Sequence, residues 1–178
     1  MTVFGGSRVQ VDSEEYAAAR RLGRALAERG FVVVNGGFEG VMAAVSQGAR
    51  EGGGRAIGVT VELLSQTRSA NPWIDQEVRT AALLERIDKL IELGDGYAVL
   101  PGGAGTLLEL GAVWNLSLLG AMHGKPIVVV GLGWQRVLEA MVQHLHTLPA
   151  DLGHLTLAPD AEAAAQILAE RLAGPPGL

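Results

Sequence analysis

Short apolar runs alternate along the chain with longer amphipathic segments. The runs TVFGG, FVVVNGG, RAIGVTV, GYAVLP, PIVVVG and HLTLAP predict six strands, the last of them weak. Amphipathic periods and helix-terminal signals predict helices over about 12–29, 40–51, 73–93, 106–122, 134–146 and 161–172. Residues 62–72 show no clear period and are predicted to form a loop, and residues 174–178 a frayed tail.

This alternation of strand and helix is typical of one fold class. It predicts an α/β domain over residues 1–173, built on a parallel sheet with helices on both faces. Ligands of such sheets collect at the carboxyl ends of the strands, near the point where the strand order reverses. Three glycine clusters, at 5–8, 35–40 and 101–106, fall at predicted strand ends. We therefore expect a cleft where the backbone approaches a ligand closely.

The composition of the chain limits the classes of function that it can have. The chain has 178 residues, 48% of them hydrophobic, with a net charge of −5 and no cysteine. A globular cytoplasmic protein is expected, with neither nucleic acid nor membrane as a partner. His144 and His146 are two residues apart on a predicted helix and so face different directions, and no metal or other cofactor is expected.

Two nucleotide-binding motifs are excluded by their spacing. VFGGSR after the first strand is not the G-x-G-x-x-G fingerprint, and no acidic residue ends the second strand to hold a ribose. GAMHGK at 120–125 is one residue short of a P-loop and lies between a helix and a strand.

The loop PGGAGTLLE, residues 101–109, allows two interpretations. Thr106 and Glu109 have the spacing of a capping box, which would need no function. A cap does not explain Gly102, Gly103 and Gly105, because glycines before a helix leave amide groups open to a phosphate. The spacing favours phosphate binding over a bare turn.

Arg86 lies in the predicted helix before this loop. It stands beside an apolar stripe that includes Leu83, Ile87 and Leu90. On periodicity alone, a surface arginine with its stem along apolar neighbours is the favoured interpretation.

The segment PGGAGTLLE matches P-G-G-x-G-T-x-x-E, the signature of the LOG ("Lonely Guy") family, once labelled lysine decarboxylase-like. VFGGS resembles that family's opening turn, NGGFEGVM its G-G-G-x-x-G-L-M segment and LLER its M-x-x-R-K helix. Arg86 has the spacing of the family's catalytic arginine. The chain departs from the family at Ile87, which replaces a lysine, at Phe38, which replaces a third glycine, and over residues 62–72.

The resemblance implies a Rossmann-like, doubly wound homodimer that hydrolyses the N-glycosidic bond of a nucleoside 5'-monophosphate, AMP or an N6-substituted AMP. It implies Arg86 and Glu109 as catalytic residues. It implies substrate binding by Ser7, Gly36, Gly37, Gly102, Gly103, Gly105 and Thr106. Lysine decarboxylation is not expected. The alternative is a protein of the same fold that binds a nucleotide or carries molybdenum cofactor without hydrolysis.

The helix predicted from Thr106 to Met122 is apolar around much of its circumference, which favours a homodimer through this helix and the one before it.

Overall fold

Seven strands form a single parallel sheet in the part of the chain, residues 1–173, that the computed structural model describes. The strands are β1 (Thr2–Phe4), β2 (Val33–Asn35), β3 (Ala56–Val61), β4 (Gln76–Thr80), β5 (Tyr97–Val99), β6 (Ile127–Val130) and β7 (Thr156–Ala158). The helices are α1 (Glu14–Glu28), α2 (Val41–Glu51), α3 (Glu62–Ser65), α4 (Leu83–Glu92), α5 (Ala104–Leu118), α6 (Leu132–His144) and α7 (Ala161–Ala173). A 3₁₀ helix, Pro149–His154, precedes β7. The tail predicted over 174–178 lies outside the described residues.

The strand order is β4-β3-β2-β1-β5-β6-β7. Successive strands are added outward from β1 as far as β4, and the chain then returns to the other side of β1 with β5. The order therefore reverses between β1 and β5, so the loops that follow these two strands flank the ligand crevice of a doubly wound sheet. The predicted fold class is confirmed.

Alternation along the strands divides the core into two layers. Val3 packs in the layer that contains the buried faces of α1, α2 and α7. Its neighbour Phe4 points to the other face, where buried residues of α4, α5 and α6 pack. Helices therefore cover both faces of the sheet, which explains why the strands read as continuous apolar runs rather than as alternating ones.

The helix predicted over 73–93 is wrong in its first half. Residues 76–80 form the edge strand β4, which pairs along its whole length with β3, and the helix begins only at Leu83. Asp75 fixes the start of the strand: its carboxylate accepts a 2.8 Å hydrogen bond from the amide of Ala56. An edge strand has a sheet neighbour on one side only, so QEVRT keeps polar residues that conceal its period.

Two smaller differences concern the segments around the crevice. The segment predicted as a loop over 62–72 begins with the short helix α3. The helix predicted from Thr106 to Met122 begins at Ala104 and ends at Leu118. The capping box is therefore also wrong: Gly103 is the N-cap residue, and Thr106 already lies inside the first turn.

Candidate active site

A crevice of about 1020 Å³ opens at the carboxyl ends of the strands, where the strand order reverses. Its walls include the loops after β1 and β5, the start of α2 and the side chains of two buried charged residues. Of the residues predicted to form the site, those that line it are Ser7, Arg86, Gly102, Gly103, Gly105, Thr106 and Glu109. The structure thus brings together seven side chains and backbone positions from three separate segments.

The two loops at the mouth of the crevice are tied to one another. The amide of Gly6 donates to the carbonyl oxygen of Pro101 at 3.1 Å, and the amide of Val41 donates to the carbonyl oxygen of Gly6 at 2.9 Å. On the other side, the indole Nε1 of Trp134 donates to the carbonyl oxygen of Leu100 at 3.0 Å. These hydrogen bonds therefore hold the loop after β5 from both sides.

The glycines of the loop after β5 fall into two kinds. A Cβ on Gly102 would overlap the hydroxyl of Thr106, so close packing requires this glycine. A Cβ on Gly103 or Gly105 would meet no atom within 4 Å, so packing does not explain either. Both lie at the start of α5, whose first amides have no acceptor within the helix. This helix start can accept a phosphate group.

Arg86 is buried, with 6% of its surface exposed, and the prediction of a surface arginine is wrong. Its Nε donates to the carbonyl oxygen of Val59 at 2.8 Å, and Nη2 donates to the carbonyl oxygen of Gly36 at 3.2 Å. Its Nη1 lies 3.5 Å from the Oε1 of Glu109. Periodicity could not show this, because β3 and the loop after β2 cover the side of α4 on which Arg86 lies.

Glu109 is the buried partner of this arginine. Burial raises the pKa of its carboxyl group from 4.5 to about 7, although the positive charge of Arg86 acts in the opposite direction. Burial also lowers the pKa of Arg86, but a guanidinium remains charged at any ordinary pH. The crevice therefore holds the permanent positive charge of Arg86 beside the carboxyl group of Glu109, which titrates near neutral pH.

Gly36 and Gly37, predicted to bind substrate, are buried and are not among the residues that line the crevice. Gly37 has a φ of +78° and donates its amide to the Oδ1 of Asn35 at 2.8 Å. Phe38 and Met42 of the same segment do line the crevice. Sequence reasoning missed these two because buried apolar residues next to a helix start give only a core signal.

Ile87, which stands where the LOG family has lysine, is a buried residue of α4. It is 6% exposed and is not among the crevice-lining residues. Its substitution therefore removes no charged group from the crevice of this chain.

Within residues 1–173, no helix is both long and apolar enough to cross a membrane.

The chain resembles known families and proteins over most of its length. Residues 1–164 match a family model described as the SLOG cluster4 family. The cytokinin riboside 5'-monophosphate phosphoribohydrolase of Mycobacterium tuberculosis is 39% identical over 113 residues, covering 63% of this chain and 60% of that protein. The probable cytokinin riboside 5'-monophosphate phosphoribohydrolase of Oryza sativa subsp. japonica is 32% identical over 165 residues, covering 89% of this chain and 72% of that protein. This chain thus spans less than two thirds of the length of the mycobacterial relative.

Two solved structures share the fold. The structural genomics target TM1055 superimposes with a TM-score of 0.73 at 27% identity, covering 94% of this chain and 96% of the other. The molybdenum cofactor carrier protein of Chlamydomonas reinhardtii gives a TM-score of 0.73 at 20% identity, covering 97% and 96%. At 20% identity the second likeness shows a shared fold alone.

Proposed function

The chain belongs to the SLOG cluster4 family and to the LOG family, and from this membership and the crevice we propose that it hydrolyses nucleoside 5'-monophosphates. The bond that breaks is the N-glycosidic bond, and the products are a free base and ribose 5-phosphate. AMP and N6-substituted AMP are the proposed substrates. The observation that carries this proposal is the buried pair of Arg86 and Glu109 beside the glycine loop.

The chemistry follows from the order of groups along the crevice. The amides at the start of α5, from Gly103 to Thr106, bind the 5'-phosphate and place the ribose one helical turn further in, next to Glu109. Ser7 of the facing loop completes this binding region. Because bond cleavage develops positive charge on the sugar, a carboxylate at this place stabilises the transition state more than the ground state.

The proposed reaction uses Glu109 and Arg86 in different ways. A water oxygen forms a bond to C1' of the ribose while the bond from C1' to the base nitrogen breaks. The departing base nitrogen takes a proton from solvent, to which Glu109 later returns the proton that it receives from the water. The carboxylate of Glu109 accepts the proton of the water and stabilises the oxocarbenium-like sugar. Arg86 contributes a fixed positive charge that favours the ionised form of Glu109 and contacts the substrate.

The test is direct. The purified protein is incubated with AMP and with N6-modified analogues, and free base is measured by chromatography. Glu109→Gln should lower the rate constant for base release by roughly 100-fold or more, the scale of losing one catalytic acid or base. Arg86→Ala should also slow release. Glu77→Gln is the matched control, because Glu77 is also paired with an arginine, Arg79, but lies outside the crevice.

A binding protein without hydrolysis is the second candidate. The volume of the crevice, about 1020 Å³, lies at the upper end of the range for small-molecule pockets, which favours a larger phosphorylated ligand such as a nucleotide-linked cofactor. On this alternative, the wild-type protein binds nucleotide in calorimetry and releases no base from any analogue. Base release that depends on Glu109 would exclude it.

We also propose that the chain forms a homodimer through α4 and α5. Large apolar side chains remain exposed on or next to these helices within residues 1–173: Leu83, Leu84, Leu107, Leu108, Leu118 and Leu119. Exposed apolar surface of this extent on neighbouring helices is typical of an interface between subunits.

A further inference from the structure

The guanidinium of Arg86 is held by groups on several sides. Besides the bonds to the carbonyl oxygens of Val59 and Gly36, Nη2 lies 3.9 Å from the Sδ of Met42. The ring of Phe38 lies beneath the guanidinium, with its centroid 6.0 Å from Cζ. An arginine has five N–H donors. Three of them face these acceptors. The other two are on Nη1, which lies 3.5 Å from the Oε1 of Glu109 in the wall of the crevice.

Gly36 is explained by this arrangement. A Cβ on Gly36 would overlap the Nη2 of Arg86 and would lie 2.6 Å from the Sδ of Met42. The glycine therefore provides the space that the guanidinium occupies, and its carbonyl oxygen accepts one of the N–H groups. Its place in the structure is behind the arginine, outside the lining of the crevice.

Phe38 is held in its own position by a buried amide. Asn71 donates its Nδ2 to the carbonyl oxygen of Phe38 at 3.0 Å and its backbone amide to the carbonyl oxygen of Gly37 at 2.8 Å. The Phe38 side chain is 1% exposed. A ring that is buried and fixed in this way gives the guanidinium a flat surface and attracts its positive charge.

We propose that Phe38 and Gly36 are positioning residues that hold Arg86 with its Nη1 facing Glu109 and the crevice. Gly36 gives the space and Phe38 the supporting surface, where the LOG-type segment has a third glycine in place of the ring. The expected effect of these two residues on the rate of base release rests on the proposed hydrolase function. Their expected effect on the pKa of Glu109 does not.

The effect on Glu109 has a definite sign. Arg86 of α4 is the charged side chain that acts on Glu109 within residues 1–173, and Phe38 and Met42, which contact Arg86 from its other side, do not titrate. A nearby positive charge lowers the pKa of a carboxyl group. If Arg86 loses its support and moves away, the pKa of Glu109 must rise.

The experiment uses Phe38→Leu, with Phe4→Leu as the matched control. Phe4 is equally buried, stacks on Tyr97 and does not line the crevice, so the control removes the same atoms from the core elsewhere. The protein is labelled with ¹³C at the glutamate side-chain carboxyl, and Glu109 is titrated by NMR after assignment through Glu109→Gln. Phe38→Leu should raise the pKa of Glu109 by about 1 unit. Phe4→Leu should lower the melting temperature similarly and leave this titration unchanged.

Activity gives a second, separate readout. Phe38→Leu should lower kcat about 10- to 100-fold and change KM little, because a misplaced catalytic group affects the transition state most. If the wild-type protein releases no base, the hydrolase proposal fails, and the NMR titration still decides the positioning role. Should Phe38→Leu not fold, Phe38→Met fills the site with a flexible side chain, removes the aromatic face and should give a shift in the same direction. An unchanged Glu109 titration in the folded variant would overturn the proposal.

Discussion

Replacing Glu109 by glutamine should make the folded protein less sensitive to alkaline pH. Burial raises the pKa of the Glu109 carboxyl group from 4.5 to about 7. Between these two values the folded state keeps the proton and the unfolded state releases it. The folded state therefore binds more protons in this window, so the free energy of unfolding falls as the pH rises through it.

The magnitude follows from the size of this window. Each unit of pKa difference corresponds to about 1.4 kcal/mol, so the interval from 4.5 to about 7 lowers the stability of the wild type by about 3 kcal/mol. Glutamine has nearly the same shape as the neutral acid and does not titrate. The two proteins should therefore have similar free energies of unfolding at about pH 4.5, and at about pH 8 the variant should be more stable by about 3 kcal/mol.

Urea unfolding of both proteins at several pH values measures this difference, and contributions of all other titrating groups cancel in the comparison. Glu77→Gln should change the pH dependence of the free energy of unfolding in the opposite direction. Hydrogen bonds from Arg79 and Thr60 lower the pKa of Glu77, so its carboxylate stabilises the fold above its unfolded pKa and loses this effect as the pH falls. A Glu109→Gln variant that is less stable than the wild type at about pH 8 would refute the reasoning, because the ion pair with Arg86 would then outweigh burial.

Three further predictions concern the crevice loop and the assembly. In crystals soaked with a nucleotide, the phosphate should lie at the amides from Gly103 to Thr106, and a phosphate bound elsewhere in every soak would contradict the loop assignment. Trp134→Phe should lower the free energy of unfolding by about 1–3 kcal/mol, measured in urea, because it leaves the buried carbonyl oxygen of Leu100 without its donor. The same variant should bind AMP more weakly in calorimetry, and unchanged affinity would show that the loop keeps its shape without the indole. Light scattering at micromolar concentration should show a dimer, and Leu119→Glu should shift it towards the monomer, whereas a monomeric wild type would exclude the proposed interface.

The fold could be predicted from the sequence because the apolar runs of a doubly wound sheet are unambiguous. β5 and β6 are buried on both faces, and α1 and α2 carry clear apolar stripes. β4 could not be found in this way. As an edge strand it buries little, and its residues continue into the stripe of α4, so the two merged into one predicted helix.

The candidate site was predictable where it depends on local sequence and not where it depends on packing. The glycines at 102, 103 and 105 lie between a strand and the first turn of a helix, which is sufficient to predict a binding loop. Arg86 needed more. Its helical period placed it at the surface, and the structure buries it because β3 and the loop after β2 cover that side of α4. Phe38 and Met42 gave no functional signal, because their role depends on what they touch.

The position of Glu109 supports a catalytic role over simple nucleotide binding. A carboxylate near the helix start proposed to bind phosphate would repel an anionic ligand, and burying it destabilises the folded protein above neutral pH. A protein that only binds a nucleotide gains nothing from either effect, and an amide at this position would serve it better. A hydrolase gains from both, because the sugar becomes positively charged in the transition state and a partly desolvated carboxylate acts on it more strongly. Arg86 fits the same argument, since its fixed charge keeps part of the Glu109 population ionised at neutral pH.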